Sequence, residues 1–164
     1  MRRKAIIISI KGSKLSNMEK TLLLKERPWG IILFKRNLKS VEQIQNLTLE
    51  IKKLTKNKKF PIIIDEEGDS VSRLRNIINH DISSNFFGKL YDLDKALCVK
   101  IFKHYINSLC SILKDLGINI NSIPVLDVLR INTNKIIGKR GFSRDKKIVK
   151  LLGNLTIKYL HSNK

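Results

Sequence analysis

The stretch Phe60-Pro61-Ile62-Ile63-Ile64-Asp65-Glu66-Glu67-Gly68 decides how this chain is read. Its first five residues are apolar without alternation, the pattern of a strand buried on both faces in a parallel sheet. The run ends on a carboxylate, Asp65, and in α/β architectures function sits at the carboxyl ends of the strands. A carboxylate leaving a buried strand is poorly solvated, so Asp65 is expected to have a partner or a ligand. Arg73, eight residues on, is the candidate. Two readings of the pair stand. Either carboxylate and guanidinium together bind sugar hydroxyls, or a buried ion pair braces the loop.

Working outward, similar apolar runs recur at residues 5–10, 30–34 and 118–125, the first of them read as a buried strand. Segments of helical period separate them. Residues 16–25 open on Ser16 with Glu19 three positions later, a capping-box spacing, and Pro28 closes the segment. Residues 41–56 follow Ser40 and place Val41, Ile44, Leu47, Ile51 and Leu54 at three- and four-residue steps. After a stretch read as irregular through Gly88, a helix is expected over 93–116, stopped by Gly117. A loop carrying residues 132–141 then leads to a last helix over 145–161. The chain is thus an α/β fold of four strand–helix units with parallel strands. Four units fit a small open sheet and equally half of an eight-unit barrel, and periodicity does not choose.

Composition narrows the function classes. At 164 residues with 42% hydrophobic and 29% charged residues, the chain has globular composition. No apolar run approaches the roughly 20 residues needed to span a bilayer. The start, Met1-Arg2-Arg3-Lys4, has the basic character of a secretory leader, but Ser9 and Lys11 interrupt the run behind it and no cleavage site follows. Cys98 and Cys110 fall in one expected helix 12 positions apart, or roughly 18 Å, too far for a disulfide. They read as buried small hydrophobes in a reducing compartment, which suggests the cytoplasm. Lys and Arg number 33 against 14 acidic residues, a net charge of +19. Such an excess raises nucleic acid as a partner, yet the lysines are spread along the chain without an aromatic-basic platform or zinc-finger spacing. That distribution argues for basic solvated faces.

Cofactor and metal chemistry finds no pattern here. His80, His104 and His161 are isolated in sequence, without His-x-x-His or Cys-x-x-Cys spacing. Gly30, Gly68 and Gly138 build neither a Gly-x-Gly-x-x-Gly turn nor a phosphate loop. Glu66 and Glu67 are adjacent on extended backbone, so they point to opposite faces and do not pair. No cofactor and no metal are expected.

Four motifs carry a family resemblance. Pro28-Trp29-Gly30-Ile31-Ile32-Leu33-Phe34-Lys35-Arg36-Asn37 resembles the second-strand motif of the β-N-acetylhexosaminidases of glycoside hydrolase family three, Gly-Ile-Leu-Phe-x-Arg-Asn. Ile64-Asp65-Glu66-Glu67-Gly68 is similar to their Asp-Gln/Glu-Glu-Gly-Gly signature, with Arg73 at the spacing of its arginine. Residues 120–128 resemble Phe-Ala-Pro-Val-Leu-Asp-Val, and Ile137-Gly138-Lys139-Arg140-Gly141-Phe142 resembles Ile-Gly-x-Arg-Ser-Phe. One departure is that the family's Gly-Gly-Arg after the acidic pair is Gly68-Asp69-Ser70 here.

The resemblance implies a (β/α)₈ TIM barrel of which residues 1–164 form a single, truncated amino-terminal domain with the first four units. It implies that Asp65 binds hydroxyls of an N-acetylglucosamine ring, with Arg73 and Arg140 as further substrate-binding groups. Asp127 is expected to order the loop after the fourth strand, and Arg36 with Asn37 the loop after the second. In the family, retaining hydrolysis of β-linked N-acetylglucosamine from cell-wall fragments uses an aspartate nucleophile and a histidine acid/base. Both belong to motifs beyond the fifth strand, so no catalytic residue is expected among these 164. The implied ligand is a carbohydrate containing N-acetylglucosamine. The open edges of four units further allow self-association or a second half-barrel chain. The alternative to a glycosidase part is a basic, non-enzymatic nucleic-acid-binding protein.

Overall fold

The computed structural model describes residues 3–163. Met1 and Arg2, half of the basic start, lie outside them, as does Lys164. The chain divides into two compact units. The first takes the residues up to Glu66 with Arg73–Asn79 and Leu113–Ser122, and the second takes Glu67–Ser72, His80–Ile112 and the residues from Ile123 on.

The first unit is built on one sheet. Its strands are β1 (Lys4–Ser9), β2 (Pro28–Leu33), β3 (Ile62–Ile64) and β4 (Ile120–Asn121), paired in parallel in the order β1-β2-β3-β4. Parallel neighbours in chain order are the winding with which a (β/α)₈ barrel begins. Ile31, Leu33, Ile62 and Ile64 are fully buried, which explains the unbroken apolar runs. Helix α1 (Asn17–Glu26) starts at the expected Ser16, whose hydroxyl accepts the Glu19 N–H while the Glu19 carboxylate accepts the Ser16 N–H. Helix α2 (Val41–Leu54) starts at Ser40 and buries Ile44, Leu47 and Ile51.

Three expectations need correction. Residues 5–10 do not form a buried strand: Ile6 and Ile7 are 46% and 50% exposed, and only Ile10 enters the core. β1 pairs with β2 alone among the described residues, so one edge and much of its surface stay open. The fourth strand is two residues long rather than eight. Asparagine side chains replace its ladder: Asn119 accepts the Ile62 N–H and donates to the Phe60 carbonyl, and Asn121 does the same with the Glu66 N–H and carbonyl. Pro124, lacking an N–H, cannot extend a ladder. The stretch through Gly88 is not irregular throughout, because it ends in helix α3 (Ser84–Leu93), capped by Ser83.

The second unit is helical. Helix α3, the body of α4 (Lys95–Asp115) and α5 (Lys146–Ser162) enclose a core of Phe87, Cys98, Phe102, Ile106, Phe142, Leu152 and Tyr159 among others. Phe87 meets Phe102 edge to face at a ring separation of 4.6 Å. Gly88 has a packing reason: a Cβ there would lie 1.9 Å from the Phe142 carbonyl oxygen. Cys98 and Cys110 lie on α4 as free thiols, Cys98 donating to the Phe87 carbonyl at 3.3 Å. Burial raises the pKa of both, and the nearby Asp94 charge adds to the effect at Cys98. No helix among the described residues is long and apolar enough to cross a membrane.

Candidate functional site

The carboxyl ends of the strands place the polar side chains of the first unit. Asp65 follows β3 directly, and its two oxygens have separate partners: the Ser122 hydroxyl donates to Oδ1, and Arg73 Nη2 to Oδ2 at 3.4 Å. Both side chains of this ion pair keep about a quarter of their surface exposed, Asp65 25% and Arg73 29%. The pair is therefore neither sealed in the core nor free in water. Arg73 Nε is buried without a hydrogen-bond partner among the described residues. The guanidinium lies 5.9 Å from the Phe34 ring centre, and Arg36 lies 4.8 Å from the same ring.

Glu66 positions Arg73. It is completely buried, and its Oε2 accepts the backbone N–H groups of Arg73 at 2.7 Å and Leu74 at 2.9 Å. Asn37 plays the equivalent part after β2. Also completely buried, it accepts the Phe34 N–H and donates to the Ile10 and Gly12 carbonyls. Arg36 Nε donates to the Ile10 carbonyl as well. Arg36 and Asn37 thus order the loop after the second strand, as the resemblance implied.

In the second unit, Arg140 ends a short 3-10 turn (Gly138–Arg140) and meets Glu67 through two parallel bonds, Nε at 2.8 Å and Nη2 at 2.9 Å. The Glu67 side chain is 8% exposed, and such forked, charge-assisted contacts fix both distance and plane. The turn after Glu67 stays tight without the family's second glycine. Asp69 takes the left-handed φ of 43°, beside Gly68 at 87°, and the Val71 N–H closes on the Gly68 carbonyl at 3.1 Å. Aspartate is among the few side chains that tolerate that conformation. Asp127 is exposed and its side chain has no partner among the described residues; the loop there closes through the Leu129 N–H and the Ser143 carbonyl.

The structure thus brings Asp65 and Arg73 together in the first unit and sets Arg140 against Glu67 in the second. Glu66 and Glu67 diverge to different partners, as their extended backbone requires. Their roles, and that of Ser122, escaped the sequence reading. One signal was available, because a polar residue immediately behind a buried strand needs a partner. Among the described residues, no three His, Cys, Asp or Glu side chains could hold a metal ion.

A family model described as the glycosyl hydrolase family 3 N-terminal domain matches residues 3–164. A β-hexosaminidase of Xanthomonas campestris pv. campestris is 28% identical over 157 residues, which are 96% of this chain and 46% of that protein. One from Neisseria gonorrhoeae is 32% identical over 148 residues, covering 90% of this chain and 40% of its own. The chain spans about half the length of the curated relatives it matches. Among solved structures, native NagZ from Neisseria gonorrhoeae superposes with a TM-score of 0.90 at 31% identity, over 98% of this chain and 47% of that one. A β-N-acetylglucosaminidase from a Paenibacillus species gives 0.85 at 26% identity, over 96% and 29%. The Neisseria protein has also been solved with N-trifluoroacetyl-D-glucosamine bound.

Proposed function

The chain belongs to the glycosyl hydrolase family 3 N-terminal domain family, and from that premise we propose that it is the sugar-binding part of a β-N-acetylhexosaminidase. The activity proposed for the whole protein is retaining hydrolysis of terminal β-linked N-acetylglucosamine from cell-wall fragments. Recycling of peptidoglycan in the cytoplasm is the setting that fits this substrate and the free thiols. Residues 1–164 are taken as one family domain, since the family match runs through both compact units.

The observation that carries this reading is the Asp65–Arg73 pair. The pair stands at the carboxyl end of β3, where function sits in this architecture, and both groups keep about a quarter of their surface within reach of a ligand. Each Asp65 oxygen accepts one bond and has lone-pair capacity for a second, which suits two neighbouring ring hydroxyls. Arg73 spends Nη2 on Asp65, and its guanidinium carries further N–H donors in the same plane. Arg140 is proposed as a third sugar-binding group, its plane set by Glu67. Retaining hydrolysis needs two further groups flanking the scissile bond. The resemblance assigns these to motifs that residues 1–164 do not contain.

A titration of the full chain with N-acetylglucosamine, followed by amide NMR, tests the reading. Saturable shifts at Arg73, Leu74 and Ser122 that vanish in Asp65→Ala support it. Unmoved amides at those positions contradict it. A second reading concerns partners and rests on the open edge of β1, with Ile6 and Ile7 exposed. Such an edge is a template for a further strand, from a second chain or another copy. Sedimentation showing a strict monomer that binds no hydrophobic dye would exclude it.

A further inference from the structure

The second unit holds a cavity of about 590 Å³ between α3 and the segment carrying Leu129 to Arg144. Its volume is in the range of small-molecule sites. Five cations line it, Lys89, Arg130, Lys135, Lys139 and Arg144, against one carboxylate, Asp92. None of the five makes an ion pair among the described residues. The excess is therefore local and uncompensated, not merely a share of the charge spread over the chain.

The walls are held at a fixed separation. Gly88 on α3 lets the helix backbone touch the Phe142 carbonyl, and Asn85 Nδ2 donates to the same oxygen at 3.3 Å. The Leu129 N–H closes the far segment on the Ser143 carbonyl at 3.1 Å. Leu129 and the buried Phe142 give the cavity an apolar floor beneath the cationic rim.

We propose that this cavity binds a diphosphate group. Two guanidinium forks can each take two oxygens of one phosphate, and three ammonium groups supply the remaining charge. A single carboxylate on a ligand would leave most of these cations unused, whereas a diphosphate carries about three negative charges. An organic diphosphate would also cover the apolar floor, and an inorganic one would not.

Calorimetric titration of the full chain with inorganic pyrophosphate, and separately with adenosine diphosphate, tests the site. Saturable binding is expected to weaken at least tenfold in the double variant Arg130→Gln/Arg144→Gln. The double variant Lys53→Gln/Lys58→Gln, which removes equal charge from exposed positions of the first unit, is expected to change it less than twofold. Asp92→Asn, which removes the one carboxylate, is expected to tighten binding about threefold, an effect that misfolding cannot produce. Tighter binding of adenosine diphosphate than of pyrophosphate identifies an organic ligand, and the reverse an inorganic one. Equal losses in the two double variants, or no saturable binding of either probe, would overturn the proposal.

Discussion

The Glu66 carboxylate accepts the backbone N–H of Arg73 at 2.7 Å, so a completely buried acid fixes the residue whose side chain reaches Asp65. The same oxygen accepts the Leu74 N–H. Removing it strands one part-buried and one buried donor, each costing roughly 1–3 kcal/mol. Glu66→Ala is expected to lose roughly 2–5 kcal/mol of stability in urea denaturation, and Glu66→Gln, which keeps one acceptor, about half as much. Equal losses would mean that packing, not these bonds, sets the cost.

Asn37 offers a parallel case at the end of β2. Its amide donates to the Ile10 and Gly12 carbonyls while its oxygen accepts the Phe34 N–H. Asn37→Asp preserves the acceptor but turns two attractive contacts into repulsions between oxygens. We expect it to be at least as destabilising as Asn37→Ala, at roughly 2–3 kcal/mol or more. A milder effect of the aspartate, read from thermal denaturation at neutral pH, would contradict the assigned orientation of the amide.

The α1 cap gives a pH dependence. Burial alone would raise the Glu19 pKa, but the hydrogen bonds from the Lys11 and Ser16 N–H groups outweigh it and hold the carboxyl below its ordinary value of 4.5. A depressed folded-state pKa contributes stability that is present above the unfolded value and is lost as pH falls through the folded one. The difference between the native chain and Glu19→Gln is expected to be at most about 1 kcal/mol at pH 7, given the solvent around the cap. It should shrink below pH 4.5. A constant difference down to the acid transition would remove Glu19 as the titrating group.

The caps and the strand starts were legible because each depends on a few neighbouring residues. Ser16, Ser40 and Gly117 act locally, and the sequence showed them without reference to the rest of the chain. Burial on β1 was not legible, since the run Ala5-Ile6-Ile7-Ile8 reads the same whether or not another element covers it. Helix α3 was hidden by Gly88, whose reason is the Phe142 carbonyl 54 positions later. At the candidate site, Asp65 and Arg73 could be named from the strand end and spacing. The carboxylate that positions Arg73 could not, because Glu66 and Glu67 are alike in sequence and differ only in which face they meet.

Hydrolysis itself is the fourth expectation. A polypeptide of residues 1–164 should release no chromophore from aryl β-N-acetylglucosaminides above background, because it spans about 46% of its relatives and the resemblance assigns both catalytic groups elsewhere. Turnover that survives repurification and is lost in Asp65→Ala would show that these residues hold the chemistry.

The central claim is that Asp65 and Arg73 act on one sugar. A double-mutant cycle on N-acetylglucosamine affinity, read by calorimetry with Asp65→Ala, Arg73→Ala and the double variant, tests it most directly. The expected result is that each single change weakens binding by roughly 1–3 kcal/mol and that the double variant loses clearly less than the sum. Unchanged affinity in both single variants, with the folded state intact, would make the pair a loop brace and contradict the account.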